Sequence, residues 1–115
     1  MRVERELIRG AGPITVLRLL RQREMYGYEL VQTLSQRTDG VLAMGQSTLY
    51  PLLYSLEAKG FVKAEVRQAP SGRKRKYYAL TPKGRLRLKA EQAQWRRLLR
   101  AMASLGLVDA AGWER

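Results

Sequence analysis

Residues 46–60 read QSTLYPLLYSLEAKG, and their pattern decides what kind of molecule this is. Leu49, Leu52, Leu53 and Leu56 recur at i, i+3, i+4 and i+7, the spacing of one buried helical stripe. At about 100° per residue, Ser47, Tyr50, Pro51 and Tyr54 fall together on the other side. A solvated helix face normally carries Lys and Glu. This one carries hydroxyls and rings, groups that bond to phosphate oxygens and base edges. Pro51 lacks an N–H, which places it near the first turn and the helix start close to Gln46 and Ser47. Gly60 fits the left-handed cap that ends such a helix. A core helix with an incidental polar outside would show much of this pattern too, so the flanking segments have to decide.

The period changes after Gly60. Val62, Ala64 and Val66 alternate with Lys63, Glu65 and Arg67, a strand with one wet face. Pro70-Ser71-Gly72 is a turn, and Lys76-Tyr77-Tyr78-Ala79-Leu80 returns as an antiparallel partner. The tip between them is Gly72-Arg73-Lys74-Arg75-Lys76. From Arg67 to Lys89 there are nine basic residues and no acidic one, carried on a hairpin and the helix start that follows it.

Upstream, residues 2–23 have a helical pattern with Leu7, Ile8, Ile14, Leu17 and Leu20 as the apolar set. Gly10-Ala11-Gly12-Pro13 interrupts it. Pro13 suits the first position of a helix running to about Gln22, with residues 3–9 either a separate turn or a kinked start. Tyr26-Gly27-Tyr28-Glu29-Leu30-Val31 opens a second helix to about Gln36, and Gly27 marks a point where another backbone comes close. Thr38-Asp39-Gly40 is turn chemistry.

Downstream, Thr81-Pro82 is a capped helix start. The last helix runs to about Leu105, roughly 35 Å at 1.5 Å per residue. Leu88, Trp95, Leu99 and Met102 lie along one line with Leu98 and Leu105 beside it, opposite Lys89, Arg96, Arg97 and Arg100. So long an apolar stripe outruns the core and needs a second surface, most simply the same helix of another subunit. Val108–Arg115 reads as a frayed tail.

Charge narrows the function. The chain has 115 residues, 22 Lys+Arg against 10 Asp+Glu, no His and a formal charge of +12, which points to a polyanion partner. A membrane is not the expected partner: no apolar run approaches the ~18–20 residues that span one, and no signal peptide precedes the first helix. No Cys means no disulfide framework, and the expected location is the cytoplasm, on the nucleoid. Without His or Cys the commonest general base, nucleophile and metal ligand are missing. The carboxylates are scattered, and Gly72-Arg73-Lys74 lacks the rest of a phosphate-binding loop. We therefore expect no enzyme, no catalytic residue, no metal and no cofactor.

Three helices, a two-stranded hairpin with a cationic tip and a long helix make an α+β, mostly α, winged helix-turn-helix. Residues 1–81 would form the DNA-binding part and 82–115 the dimerisation helix and tail, within one structural domain overall. The third helix would enter the major groove by its N-terminal end. Gln46 is the candidate base reader, because its amide pairs bidentately with adenine. Ser47, Thr48, Tyr50 and Tyr54 are candidate phosphate contacts. Arg73, Lys74, Arg75 and Lys76 on the wing would add affinity more than specificity.

These residues also carry a resemblance. Leu49-Tyr50-Pro51-Leu52-Leu53, Leu56-Glu57 and Gly60, then Gly72 through Thr81, together with Tyr26-Gly27-Tyr28-Glu29-Leu30, resemble the core signature of the PadR family of bacterial transcriptional regulators. With one C-terminal helix the chain is similar to the short-form subfamily. The resemblance implies a homodimer on an inverted-repeat operator in double-stranded DNA, usually a repressor, that lets go when a small molecule binds. Trp95 lies eleven residues after Gly84, as does the tryptophan with which multidrug-sensing members sandwich flat aromatic compounds at the dimer centre. Leu7, Ile14 and Leu99 would complete that lining. Trp95 equally fits a purely structural role in the dimer seam. The chain departs from the family pattern at Ser47, where glycine is frequent, and at Pro13 with its two neighbouring glycines. Two other readings stay open: a constitutive DNA-binding regulator without a ligand, and a basic RNA-associated protein.

Overall fold

The computed structural model describes residues 4–109. Seven elements follow in order: α1 (Arg5–Gln22), β1 (Met25–Tyr26), α2 (Gly27–Arg37), α3 (Gln46–Ala58), β2 (Val62–Gln68), β3 (Lys74–Leu80) and α4 (Pro82–Ser104). This is the expected mostly helical α+β winged helix-turn-helix. Within the described residues no helix is long and apolar enough to cross a membrane.

The core forms where the amphipathic faces meet. Val16, Leu17 and Leu20 of α1, Leu30 and Leu34 of α2, Leu49, Leu53 and Leu56 of α3, Val62 and Tyr78 of the sheet, and Leu88 of α4 are all buried. Each fully buried aliphatic side chain contributes roughly 1.5–3 kcal/mol, which outweighs the weak helix formers in these segments.

That balance decides between the two readings of the first helix. The residues before Pro13 are the start of the same helix and not a separate turn. The described chain forms one helix from Arg5, with Pro13 inside. Pro13 forfeits only the bond to the Arg9 carbonyl, and Ile8 packs against the core and ties the leading turns down. Gly12 lets the two helices close up, since a Cβ there would lie 3.1 Å from Leu52 Cδ2. α3 starts at Gln46, where the sequence places its start, and Pro51 lies in its second turn. It is the sixth residue of α3 and leaves the Ser47 carbonyl without a helical partner. Gly60, at φ +79°, is the cap glycine the sequence announces.

The sheet has three strands, not two, in the order β1-β3-β2, all antiparallel. β2 and β3 pair from Val62↔Leu80 to Gln68↔Lys74, so the second strand starts two residues earlier than the alternation suggested. The turn is closed by Ala69 N–H donating to the Arg73 carbonyl (2.7 Å) and by Gly72 at φ +86°. Lys74 and Arg75 thus join Lys76 in the strand and do not lie in a loop. Val66, expected inward, is 61% exposed, because the hairpin runs out past the core at that point. β1 pairs only with Tyr77 and Tyr78, which leaves the Lys74–Lys76 edge of β3 uncovered.

α4 begins where expected. The Thr81 hydroxyl accepts from Gly84 N–H (2.9 Å) and donates to the Gly60 carbonyl (2.7 Å). Gly84 is needed for contact: a Cβ there would fall 2.0 Å from the Phe61 carbonyl oxygen. α4 ends by Ser104, with Leu107 N–H reaching the Met102 carbonyl (3.0 Å) and Gly106 at φ +78°. Of the tail expected to fray, residues 110–115, and with them Trp113, lie outside the described residues.

Candidate nucleic-acid interface

α3 presents its unburied side to solvent. Gln46, Ser47 and Thr48 are exposed at its start, and Tyr54 is 53% exposed one turn past Tyr50. Its cap residue is Gly45, with no side-chain cap bond. The first amides of the helix are therefore available to an outside acceptor. Tyr50 and Tyr54 lie side by side, ring centroids 6.3 Å apart.

Tyr50 is half-buried for a reason the sequence did not reveal. A Cβ on Gly27 would stand 2.5 Å from the Tyr50 hydroxyl oxygen and 2.7 Å from its ring. The close approach expected at Gly27 is real, but a side chain makes it and not a backbone. Gly27 seats the Tyr50 ring against the start of α2.

Beside that ring lies a hollow of about 390 Å³, lined by Tyr26, Gly27, Tyr28, Tyr50, Arg73, Lys74, Arg75 and Lys76. Tyr50 of the third helix and Arg75 of the wing therefore look into the same space. The uncovered β3 edge forms part of this wall. Arg73, Lys74 and Arg75 have no carboxylate partner among the described residues, whereas Lys76 pairs with Glu57 of α3 at 3.6 Å. Lys76 Nζ also sits 5.3 Å over the Tyr54 ring. Lys76 is thus tied to α3, and the other three keep their charge for a partner.

Arg67 is also occupied, as Lys76 is by Glu57 and Arg87 by Glu91. Its guanidinium pairs with Glu24 through both terminal nitrogens (the Nη2–Oε2 distance is 3.0 Å) and with Glu65 at 2.8 Å. These hydrogen bonds, Glu24's first, raise the Arg67 pKa, and the Arg67 hydrogen bond lowers that of Glu24. Arg67 is a strut across the wing base. Strand alternation puts Glu65 on the same face of β2, but Glu24 lies forty-three positions away and no local pattern points to it.

Beneath this surface lies Tyr78, fully buried, with a hydroxyl that has no hydrogen-bond partner among the described residues. Burial, then Tyr54, Glu57 and Tyr50 of α3, push its pKa up to about 12.

Outside this hollow, Leu7 (68%), Leu98 (50%) and Leu105 (77%) are exposed, with Trp95, Leu99 and Met102 half-buried. Leu88 is buried within the subunit. Ile14 lines a second hollow of about 320 Å³ together with Arg18, Leu34, Leu42 and Gln92. Leu7, Trp95 and Leu99 are not in its wall.

Fold and exposed surface define the class, a winged helix-turn-helix with a cation-lined groove between α3 and the wing. Residues 16–90 match the Transcriptional regulator PadR-like family, and the chain belongs to that family of regulators, which are not enzymes. It is 35% identical over 96 residues to the transcriptional regulator Rv3488 of Mycobacterium tuberculosis, covering 84% of this chain and 86% of that one. A PadR family transcriptional regulator from Eggerthella lenta superposes with a TM-score of 0.78 at 35% identity, over 90% of this chain and 88% of its own. Bacillus subtilis PadR, solved in complex with operator DNA, superposes with a TM-score of 0.64 at 25% identity, over 70% of this chain and 45% of its own.

Proposed function

We propose that this chain is a homodimeric DNA-binding repressor of an inverted-repeat operator. Residues 1–81 read and grip the duplex, and 82–115 pair the subunits. The observation that carries the reading is the shared hollow, where Tyr50 meets the unpaired cations Arg73, Lys74 and Arg75. A duplex laid on α3 puts Gln46 at a base edge and Ser47, Thr48, Tyr50 and Tyr54 along the backbone, while the wing follows the next stretch of phosphates. Family membership and the operator complex of Bacillus subtilis PadR support the same use of the surface.

Dimerisation is supported by the apolar residues that α4 leaves uncovered, Leu98 and Leu105 beside Trp95, Leu99 and Met102. Release by a small planar or aromatic effector would be seated on Trp95, Leu99, Ile14 and Leu7. Because Trp95 and Leu99 stand outside the hollow that Ile14 lines, that seat needs the second copy's helix to close it.

Footprinting on DNA selected by the purified chain tests the whole. Two protected half-sites about 34–36 Å apart are expected, with affinity that falls steeply with salt. A single unpaired half-site, or tighter binding to structured RNA, would refute it. Quenching of Trp95 fluorescence by planar cationic drugs, in a chain with Trp113 replaced, separates the effector-controlled repressor from a constitutive one.

A further inference from the structure

The outer face of the sheet carries a ladder that nothing in the core requires. Tyr26 pairs with Tyr77 across β1 and β3, while Glu65 pairs with Tyr77 and Arg67 with Arg75 across β2 and β3. Side chains alternate along a strand, so these residues share one face and Met25, Ala64 and Tyr78 share the other. On that outer face Arg67 Cζ sits 4.9 Å over the Tyr77 ring. Tyr77 and Tyr26 meet edge to face at 5.5 Å. Arg75 Cζ sits 4.4 Å over the Tyr26 ring. One end of the ladder is neutralised, because Arg67 is bound by Glu24 and Glu65. The other end, Arg75, has no carboxylate among the described residues and opens into the hollow with Tyr28 and Tyr50.

We propose that Tyr26 is a positioning residue for Arg75: its ring holds the wing guanidinium pointed into the groove before any duplex arrives. An arginine on a free hairpin must surrender its rotamers on binding. One already stacked on an aromatic face has surrendered them, and the ring attracts it without cancelling its charge. A carboxylate partner would hold it as well but would compete with phosphate, as Glu57 does for Lys76. The ring therefore orders the cation and leaves it chemically available. This inference rests on the DNA-binding reading.

The test is a double-mutant cycle on the full chain, with a duplex selected by the wild type. Tyr26→Leu is expected to weaken binding about two- to tenfold per subunit, the cost of ordering one long side chain. Tyr26→Phe keeps the ring and restores wild-type affinity. In an Arg75→Gln background Tyr26→Leu adds nothing further. Equal losses in both backgrounds, or a Tyr26→Phe loss matching that of Tyr26→Leu, overturn the proposal. Should Tyr26→Leu fail to fold, the free wild-type chain still decides by NMR. Arg75 side-chain protons shifted upfield by the Tyr26 ring support it, and random-coil shifts overturn it. A wild type that binds no duplex removes the DNA reading, and the ring-current result still judges the ladder.

Discussion

Replacing Tyr78 with phenylalanine is expected to stabilise the protein, against the usual direction of core mutations. The ring is fully buried between the sheet and α3, and its hydroxyl meets no hydrogen-bond partner among the described residues. A buried hydroxyl left unpaired costs roughly 1–3 kcal/mol in lost hydration. Phenylalanine keeps the ring and its buried apolar area and removes that cost. The gain should therefore be roughly 1–3 kcal/mol, or about 4 °C in Tm per kcal/mol for a chain of this size. Urea titration followed by circular dichroism, at one fixed protein concentration, measures it; the midpoint should rise with the slope unchanged. An alkaline series adds an independent check. The unfolded chain releases this proton near the ordinary tyrosine value of 10.0, whereas the folded chain holds it to about 12. Between those values the unfolded state binds fewer protons, so stability falls as pH rises through the window, and below it Tyr78 contributes no slope. Tyr78→Phe should lack that portion of the alkaline loss. A variant less stable than the wild type would mean that the hydroxyl does have a partner, and the reasoning would fail.

Other expectations follow from the division of charge and packing. Arg73→Ala should weaken binding to every duplex and reduce the salt slope by about one. Arg67→Ala should leave the slope unchanged, because Glu24 and Glu65 already occupy that guanidinium; a drop equal to that of Arg73→Ala would make it a phosphate contact after all. Gln46→Ala should cost about 1–3 kcal/mol on the operator alone, and an equal loss on random DNA in a gel-shift titration removes its reading role. Leu99→Asp should split the dimer, as sedimentation would reveal. Gly84→Ala should cost about 1–3 kcal/mol or more in thermal unfolding, because its Cβ meets a backbone carbonyl that cannot swing away.

Much of this molecule was legible beforehand where a residue type has one structural use. The leucine spacing of α3, the glycine at 60 and the Thr81-Pro82 start each specify a backbone conformation locally, and each stands in the structure. The prolines specified unequally, because a single missing N–H sets a local penalty and the surrounding packing decides whether it is tolerated: Pro51 placed the start of α3 at Gln46, whereas Pro13 left open whether the residues before it continue α1. β1 was invisible: two residues have no period to read, and only pairing with β3 makes them a strand. The exposed polar residues of α3 could be named from the pattern, since a helix face follows from spacing alone. The cluster around them could not. That Tyr26 and Tyr28 would join Tyr50 and the wing depends on a contact across Gly27, and that Arg67 is occupied depends on Glu24, forty-three positions away. Charge counts treat all nine basic residues of the run alike, and tertiary pairing divides them.

The junction at Phe61 has a mechanical consequence. The Phe61 carbonyl is wedged against Gly84 and accepts from Thr81 N–H (3.1 Å), and the Phe61 amide closes the end of α3 by donating to the Leu56 carbonyl (2.9 Å). The end of α3 and the start of α4 are thus joined through one residue that both engage. In the proposed dimer a tilt of α4 would be carried to α3 through this junction, so the angle between two paired subunits would set the spacing of their α3 N-termini.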